Sequence, residues 1–156
     1  MKANDIRSET QFSVFLVNKP GALARVCQLL AEKHINITAM SMMDSSEHGV
    51  LRMVVESPAA ARAALASLEM PTAECQVLTV RLPNRPGALA DVVQRLSAAH
   101  INVNYAYCTT GAPGNKSLGV FRVSDLNKAV SVLSERRPAR RQASLPSRAD
   151  GRIRRK

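Results

Sequence analysis

Asn18-Lys19-Pro20-Gly21-Ala22-Leu23-Ala24 returns 66 residues later as Asn84-Arg85-Pro86-Gly87-Ala88-Leu89-Ala90. At the same offset His34-Ile35-Asn36-Ile37 returns as His100-Ile101-Asn102-Val103. Between Asn18–Ile37 and Asn84–Val103, twelve of twenty positions are identical, so the chain is a tandem of two homologous modules. The strongest repetition falls on a loop and a helix start. Such places bind small anions more often than they build cores.

Working outward, each copy of the loop follows a short apolar run and precedes an amphipathic helix. Phe12–Val17 reads as a strand ending in a turn signal. Leu23, Val26, Cys27 and Leu30 then recur at helical spacing, matched by Leu89, Val92, Val93 and Leu96 in the second copy. Asn36–Met43 reads as a strand, residues 44–49 as a hairpin loop, and Val50–Val55 as a strand with β-branched bias. Ser57-Pro58 opens a second helix, which Pro71 forbids from continuing far beyond Met70.

The order β-α-β-β-α is followed by one apolar run, Cys75–Leu82, which must end the first module and begin the second. Two readings stay open, one shared strand or a very short fourth strand with a kink. Module two continues with a helix over Gly87–Ala99, a strand over Asn102–Cys108 and a helix over Asp125–Arg136. Gly49-Val50-Leu51-Arg52 resembles Gly119-Val120-Phe121-Arg122 at offset 70, which predicts a second hairpin loop four residues longer, over Thr109–Ser117. A final strand for module two is hard to place, because Ala139–Ser147 offers only Leu145 as a large apolar residue.

The expected fold is α+β: two ferredoxin-like βαββαβ modules side by side, with antiparallel sheets and helices on one face. The expected division is a lead over 1–11, module one over 12–74, module two over 75–137 with its last strand weak or missing, and a basic, disordered tail over 138–156.

The net charge of +10 suggests a nucleic-acid partner, but its distribution argues against one. Residues 136–156 hold nine of the 22 Lys and Arg against one acid, leaving 13 bases and 11 acids in the other 135 residues. The body is therefore nearly neutral. The absence of Trp and the scarcity of Tyr and Phe also remove the stacking platform an RNA-binding plait needs. Cys27, Cys75 and Cys108 form no metal or redox spacing and read as buried or half-buried apolar residues. No apolar run approaches a membrane span, and no secretory signal is visible, so a cytoplasmic protein without membrane association is expected.

Candidate chemistry centres on the repeated loops. Pro fixes φ, Gly allows close backbone approach, and the amides of Gly21, Ala22 and Leu23, or Gly87, Ala88 and Leu89, open a helix whose start favours a carboxylate. Asn18 and Asn84 precede the turn, and each carries a donor and an acceptor. Asn36 and Asn102 open the second strands, and the reading places Asn18 and Asn36 on one cleft.

The string Asn-Lys/Arg-Pro-Gly-Ala-Leu-Ala, the helix and the Ile-Asn-Ile/Val after it resemble the ACT domain, over Phe12 to Arg136. The whole chain resembles free-standing tandem ACT proteins. The resemblance implies a non-catalytic regulatory protein that binds an amino-acid effector between two domains, works on a separate target enzyme and forms a homo-oligomer such as a dimer. In the serine-feedback ACT domain of phosphoglycerate dehydrogenase a His precedes the loop Asn by two. Here Leu16 and Leu82 stand in that place, which departs from the serine pattern and leans toward a larger apolar amino acid. The resemblance implies Asn18, Asn36, Asn84 and Asn102 as ligand residues, and the loop reading adds Gly21, Ala22, Leu23, Gly87, Ala88 and Leu89.

Other signals carry less. Residues 111–117 resemble a phosphate loop, but Asn115 separates Gly114 from Lys116 and the segment lies in a hairpin. His34 and His100 read as helix caps, Met40 and Met42 as packing residues, and Arg52 and Arg122 as solvated strand positions. No nucleophile–base pair, paired carboxylates or metal spacing recurs, so no catalytic residue, metal or cofactor is expected. The alternatives are a nucleic-acid-binding plait protein with a basic tail, or the small regulatory subunit of an amino-acid biosynthetic enzyme.

Overall fold

The computed structural model describes residues 5–43, 48–109 and 116–135. The tips of both hairpin loops, most of the segment resembling a phosphate loop, and the basic tail lie outside the described residues.

Alternation of apolar and polar residues builds the six strands. They are β1 (Ile6–Val17), β2 (Ile37–Met43), β3 (His48–Val55), β4 (Thr72–Pro83), β5 (Val103–Thr109) and β6 (Lys116–Val123). The helices are α1 (Ala22–Glu32), α2 (Pro58–Ala66), α3 (Ala88–Ala98) and α4 (Leu126–Ser134). The strands form one sheet in the order β2-β3-β1-β4-β6-β5, and every neighbouring pair is antiparallel. The fold is therefore α+β, two βαββαβ units sharing a six-stranded sheet with four helices.

The sharing resolves the apolar run at Cys75. β4 is one strand of twelve residues, and it serves both modules. Its first half pairs with β1, from Thr72 opposite Val14 to Gln76 opposite Thr10. Its second half pairs with β6, from Leu78 opposite Phe121 to Pro83 opposite Lys116. β1 is also twelve residues long and begins at Ile6, six residues ahead of the expected start. Ile6 lies opposite Val80 and packs into the core of module two. The missing last strand of module two is thus supplied by residues read as a polar lead. Ser8, Glu9 and Thr10 hide that strand in the sequence, because only Ile6 in this half turns a large apolar side chain toward the helices.

Period-2 geometry sorts the side chains into two faces. Phe12, Val14 and Leu16 meet α1 and α2 through Val26, Leu30, Ala61 and Leu65. Leu78, Val80 and Leu82 meet α3 and α4 through Val92, Leu96, Ala129 and Leu133. On the other face Ala39, Val54, Val77 and Val120 form a third cluster. It is buried because the sheet curls until its outermost strands, β2 and β5, touch. Right-handed twist accumulates across six strands. Register shifts beside Thr38 and Asn104 sharpen it at both edges.

Fully buried Gln11 sits inside the curl and ties it together. Its amide donates to Tyr105 Oη at 2.7 Å, and Tyr107 Oη donates back to Gln11 Oε1 at 3.0 Å. Arg52 lies 4.4 Å from the Tyr105 ring centroid, so it packs on an aromatic face instead of standing free in solvent.

The repeat offset changes along the chain. It is 66 from β1/β4 through β2/β5, and 68 from β3/β6 through α2/α4. The undescribed hairpin tips span residues 44–47 and 110–115, so the second loop is longer by two residues, not four. Arg52 and Arg122 are consequently not equivalent: Arg122 matches Val54. Two helix ends do match. His34 and His100 both adopt φ of 55°, and the following Ile35 and Ile101 amides bond back to Leu30 O and Leu96 O. This is the αL stop expected of a helix C-terminus, with the isoleucine packed back into the core. Cys27 and Cys75 are half-buried, while Cys108 on the outer strand β5 is exposed, contrary to expectation.

Candidate functional site

Each loop leaves the end of a long strand and turns directly into a helix. Lys19 N bonds to Val17 O at 2.8 Å and Ala22 N to Lys19 O at 3.2 Å, and Arg85 and Ala88 repeat both bonds. Gly21 has φ of 90° and Gly87 of 84°, and each is the N-cap residue of its helix. Only glycine adopts this conformation cheaply. A glycine N-cap brings no side chain, and neither helix start receives a side-chain cap. The Ala22 and Ala88 amides are spent inside the turn, which leaves the glycine amide and that of Leu23 or Leu89 without a side-chain cap. A Cβ at Gly21 would meet nothing within 4 Å, so the space in front of the loop is open.

The two helix starts differ electrically. The first turn of α3 contains Asp91, which pairs with Arg85 at 3.6 Å. The equivalent residue in α1 is Arg25, and α1 has no acid in its first turn. A negative charge already answers the α3 dipole, while the α1 start lies beside a cation.

Asn18 and Asn84 are exposed at their loops, and both have interaction partners within the protein. Asn36 donates from Nδ2 to Glu56 Oε1 at 2.9 Å, and its carbonyl accepts from Glu56 N at 3.1 Å. Asn102 bonds to Ser124 through its amide at 3.1 Å and its carbonyl at 3.0 Å. These strand-start asparagines therefore join β2 to the end of β3, and β5 to the end of β6.

The expectation that Asn18 and Asn36 face one cleft fails on register. Val17 lies opposite His48 at the start of β3, and Ile37 lies opposite Val55 at its end. About seven residue steps of roughly 3.3 Å separate those levels, some 23 Å. β1 and β2 run parallel, so the loop leaves the top of one and the asparagine enters at the bottom of the other. Gly21, Ala22 and Leu23 stay with Asn18, and Gly87, Ala88 and Leu89 stay with Asn84. Asn36 and Asn102 are elsewhere.

The residues that sequence reading missed are Gln11, Tyr105 and Tyr107. Nothing in their spacing marks them, because the hydrogen bonds join β1 to β5 across the curl. Burial raises the Tyr107 hydroxyl well above the ordinary tyrosine range, and the neighbouring Tyr105 adds to the shift. Both hydroxyls stay neutral donors at physiological pH. Among the described residues no group of three His, Cys, Asp or Glu side chains is placed to hold a metal, and no described helix is long and apolar enough to cross a membrane.

A duplicated βαββαβ plait, with a glycine-capped helix start repeated at each end of a shared sheet, defines a tandem ferredoxin-like pair as its class. The family model described as an ACT domain pair matches residues 8–139, and the chain belongs to that family. Protein BT0572 from Bacteroides thetaiotaomicron is similar at 33% identity, over 83% of this chain and 88% of that one, with a TM-score of 0.76. The regulatory subunit of aspartate kinase from Thermus thermophilus shares the fold at 14% identity, 82% and 93% coverage and a TM-score of 0.61. Aspartokinase III of E. coli, crystallised with lysine and aspartate, shares it at 14% identity and a TM-score of 0.50, over 83% of this chain and 30% of that one. No curated protein matches the chain in sequence.

Proposed function

We propose that this ACT domain pair is a non-catalytic regulatory protein that binds a small amino-acid effector and passes its occupancy to a target enzyme. The observation that carries the reading is the duplicated loop. Two helices open at glycines in the left-handed region, with no side-chain cap and with an asparagine just upstream. The fold shared with a Thermus aspartate kinase regulatory subunit supports a regulatory role. The lysine and aspartate bound to E. coli aspartokinase III support an amino acid as the effector class.

In this reading the effector carboxylate meets the amides of Gly21 and Leu23, or of Gly87 and Leu89, beside Asn18 or Asn84, while those of Ala22 and Ala88 hold the turn. Asn36 and Asn102 reach a ligand only from another module, because each lies at the far end of its own sheet. We place them across a homodimer interface, where the outer strand of one copy approaches the loop of another. Exposed Met40, Met42 and Met43 on β2, and Leu89 and Val93 on α3, supply apolar surface for that contact.

A thermal-shift panel of the twenty amino acids, run beside Asn18→Ala/Asn84→Ala, tests the reading. A ligand at 100 Kd adds about 2.7 kcal/mol. A selective shift for one class of amino acid, lost in the double variant, is expected. No shift from any amino acid at millimolar concentration overturns it.

A further inference from the structure

Among the described residues, the N-terminal half of β1 has a free edge. β3 ends at Val55, and the pairing of β1 with β3 begins only at Gln11. Ile6–Thr10 therefore have a strand on the β4 side alone. Alternate backbone groups of this half point away from β4. Beside that edge lies a cleft of about 440 Å³, within the range of small-molecule sites. Thr38 and Glu56 form its far wall, and a smaller cavity continues it past Thr79.

The charged groups in the cleft form a pattern. Arg7 lies opposite Thr79, so Arg81 is its diagonal neighbour, about 7–8 Å away on the same face. Glu9 follows Arg7 by two residues, also on that face. All three border the cleft, and among the described residues none of their side chains forms an ion pair. Two guanidinium groups and one carboxylate thus stand in a row without internal partners. Ser8, Thr10 and Thr38 hydroxyls line the same space, with Val55 and Pro58 its main apolar contribution.

Module two fills the matching place with its own side chains. There Arg122 donates to Gln76 O at 2.9 Å, and the Tyr105 hydroxyl sits beside Cys75 at 3.7 Å. Module one has Val54 in place of Arg122 and Ala39 in place of Tyr105. Both are buried in the third cluster and place no polar group beside the charged row.

We propose that this cleft is a binding site for a small polar α-amino acid, separate from the repeated loops. Arg7 and Arg81 would take its carboxylate through charge-assisted bonds, and Glu9 its ammonium. The inference does not depend on the loops binding anything.

The test is amide-resolved NMR titration of the full chain with L-serine, L-threonine and L-glutamine. It is repeated with Arg7→Gln/Arg81→Gln, Glu9→Gln and Asn18→Ala/Asn84→Ala, and with serine amide and N-acetylserine as probes. Expected are shifts centred on residues 7–10, 38 and 56. Affinity should fall at least tenfold in each cleft variant and for both blocked probes, and stay unchanged in the loop variant. Shifts confined to residues 18–23 and 84–89, indifferent to the arginine changes, overturn the cleft and leave the effector reading standing. Blocked probes binding as well as serine overturn the zwitterion assignment. No shift with any probe removes the cleft and leaves the loops to the panel of twenty amino acids. Retained amide dispersion in the variants shows that they fold.

Discussion

Module one and module two begin from the same loop and end in different surroundings. Both glycines take the left-handed turn, and both helices stop at a histidine with φ of 55°. Yet the first turn of α3 carries Asp91 where that of α1 carries Arg25. Inside the curl, module two contributes Tyr105 and Tyr107 where module one has Ala39 and Ser41. The duplicated scaffold has thus been held constant while its two faces were specialised. Module two spends its side chains on closing the sheet, and module one keeps open space and unpaired charge. A ligand that prefers one copy is the expected consequence.

Neither module is complete alone. Ile6–Gln11 belong to the sheet of module two, and Thr72–Gln76 to that of module one. Deleting residues 1–9 should therefore damage the distant module most. The loss is that of a buried Ile and an entire strand pairing, at least about 4 kcal/mol. Urea unfolding followed by circular dichroism checks it, with exchange of the α3 and α4 amides as the site-resolved readout. An unchanged midpoint would show that the shared strand contributes little.

Gln11 marks the sharpest difference between the copies, since its equivalent is Val77. Replacing Gln11 with Val makes the two positions alike, strands the Tyr107 hydroxyl and leaves that of Tyr105 only Cys75. Each unsatisfied buried group costs about 1–3 kcal/mol, so a loss of roughly 2–4 kcal/mol is expected from chemical denaturation. Adding Tyr105→Phe and Tyr107→Phe should return part of it. A triple variant no more stable than Gln11→Val would break the claim that these hydroxyls depend on Gln11.

Much of this was legible in the sequence, for identifiable reasons. The repeat at offset 66 and the helical spacing of Val26 and Leu30 are local signals, and they located α1, α3 and the module order correctly. What escaped was non-local. Ile6–Gln11 looks polar because half of it lines the middle of the sheet, where only Gln11 is fully buried. The likeness of residues 49–52 to residues 119–122 shifted the second hairpin by two, since both segments alternate apolar residues and any even slip preserves the pattern. Placing Asn18 beside Asn36 required strand levels, and a sequence does not carry those.

The glycines sharpen what the copies share. Gly21→Ala and Gly87→Ala each force a Cβ into the left-handed region at about 1–2 kcal/mol. Neither new methyl group meets an atom closer than 4.0 Å, so the two costs should agree. Thermal midpoints of the two single variants provide the comparison. A loss at one glycine more than twice that at the other would mean that one loop is held by contacts its twin lacks.

The smallest effect isolates the electrical difference between the helix starts. Arg25→Asp places an acid in the first turn of α1, as Asp91 does in α3, and should stabilise by about 0.3–1 kcal/mol at low salt. Asp91→Asn removes the acid from α3 and its exposed pairing with Arg85, for a loss of similar size. Both changes should shrink toward zero at about 1 M salt, where the Debye length is about 3 Å. The same substitution should weaken anion binding at loop one, because the new carboxylate competes for the amides of α1. Stability and affinity therefore move in opposite directions at Arg25. If they fall together, the α1 start is not a place where charge is left for a ligand to supply.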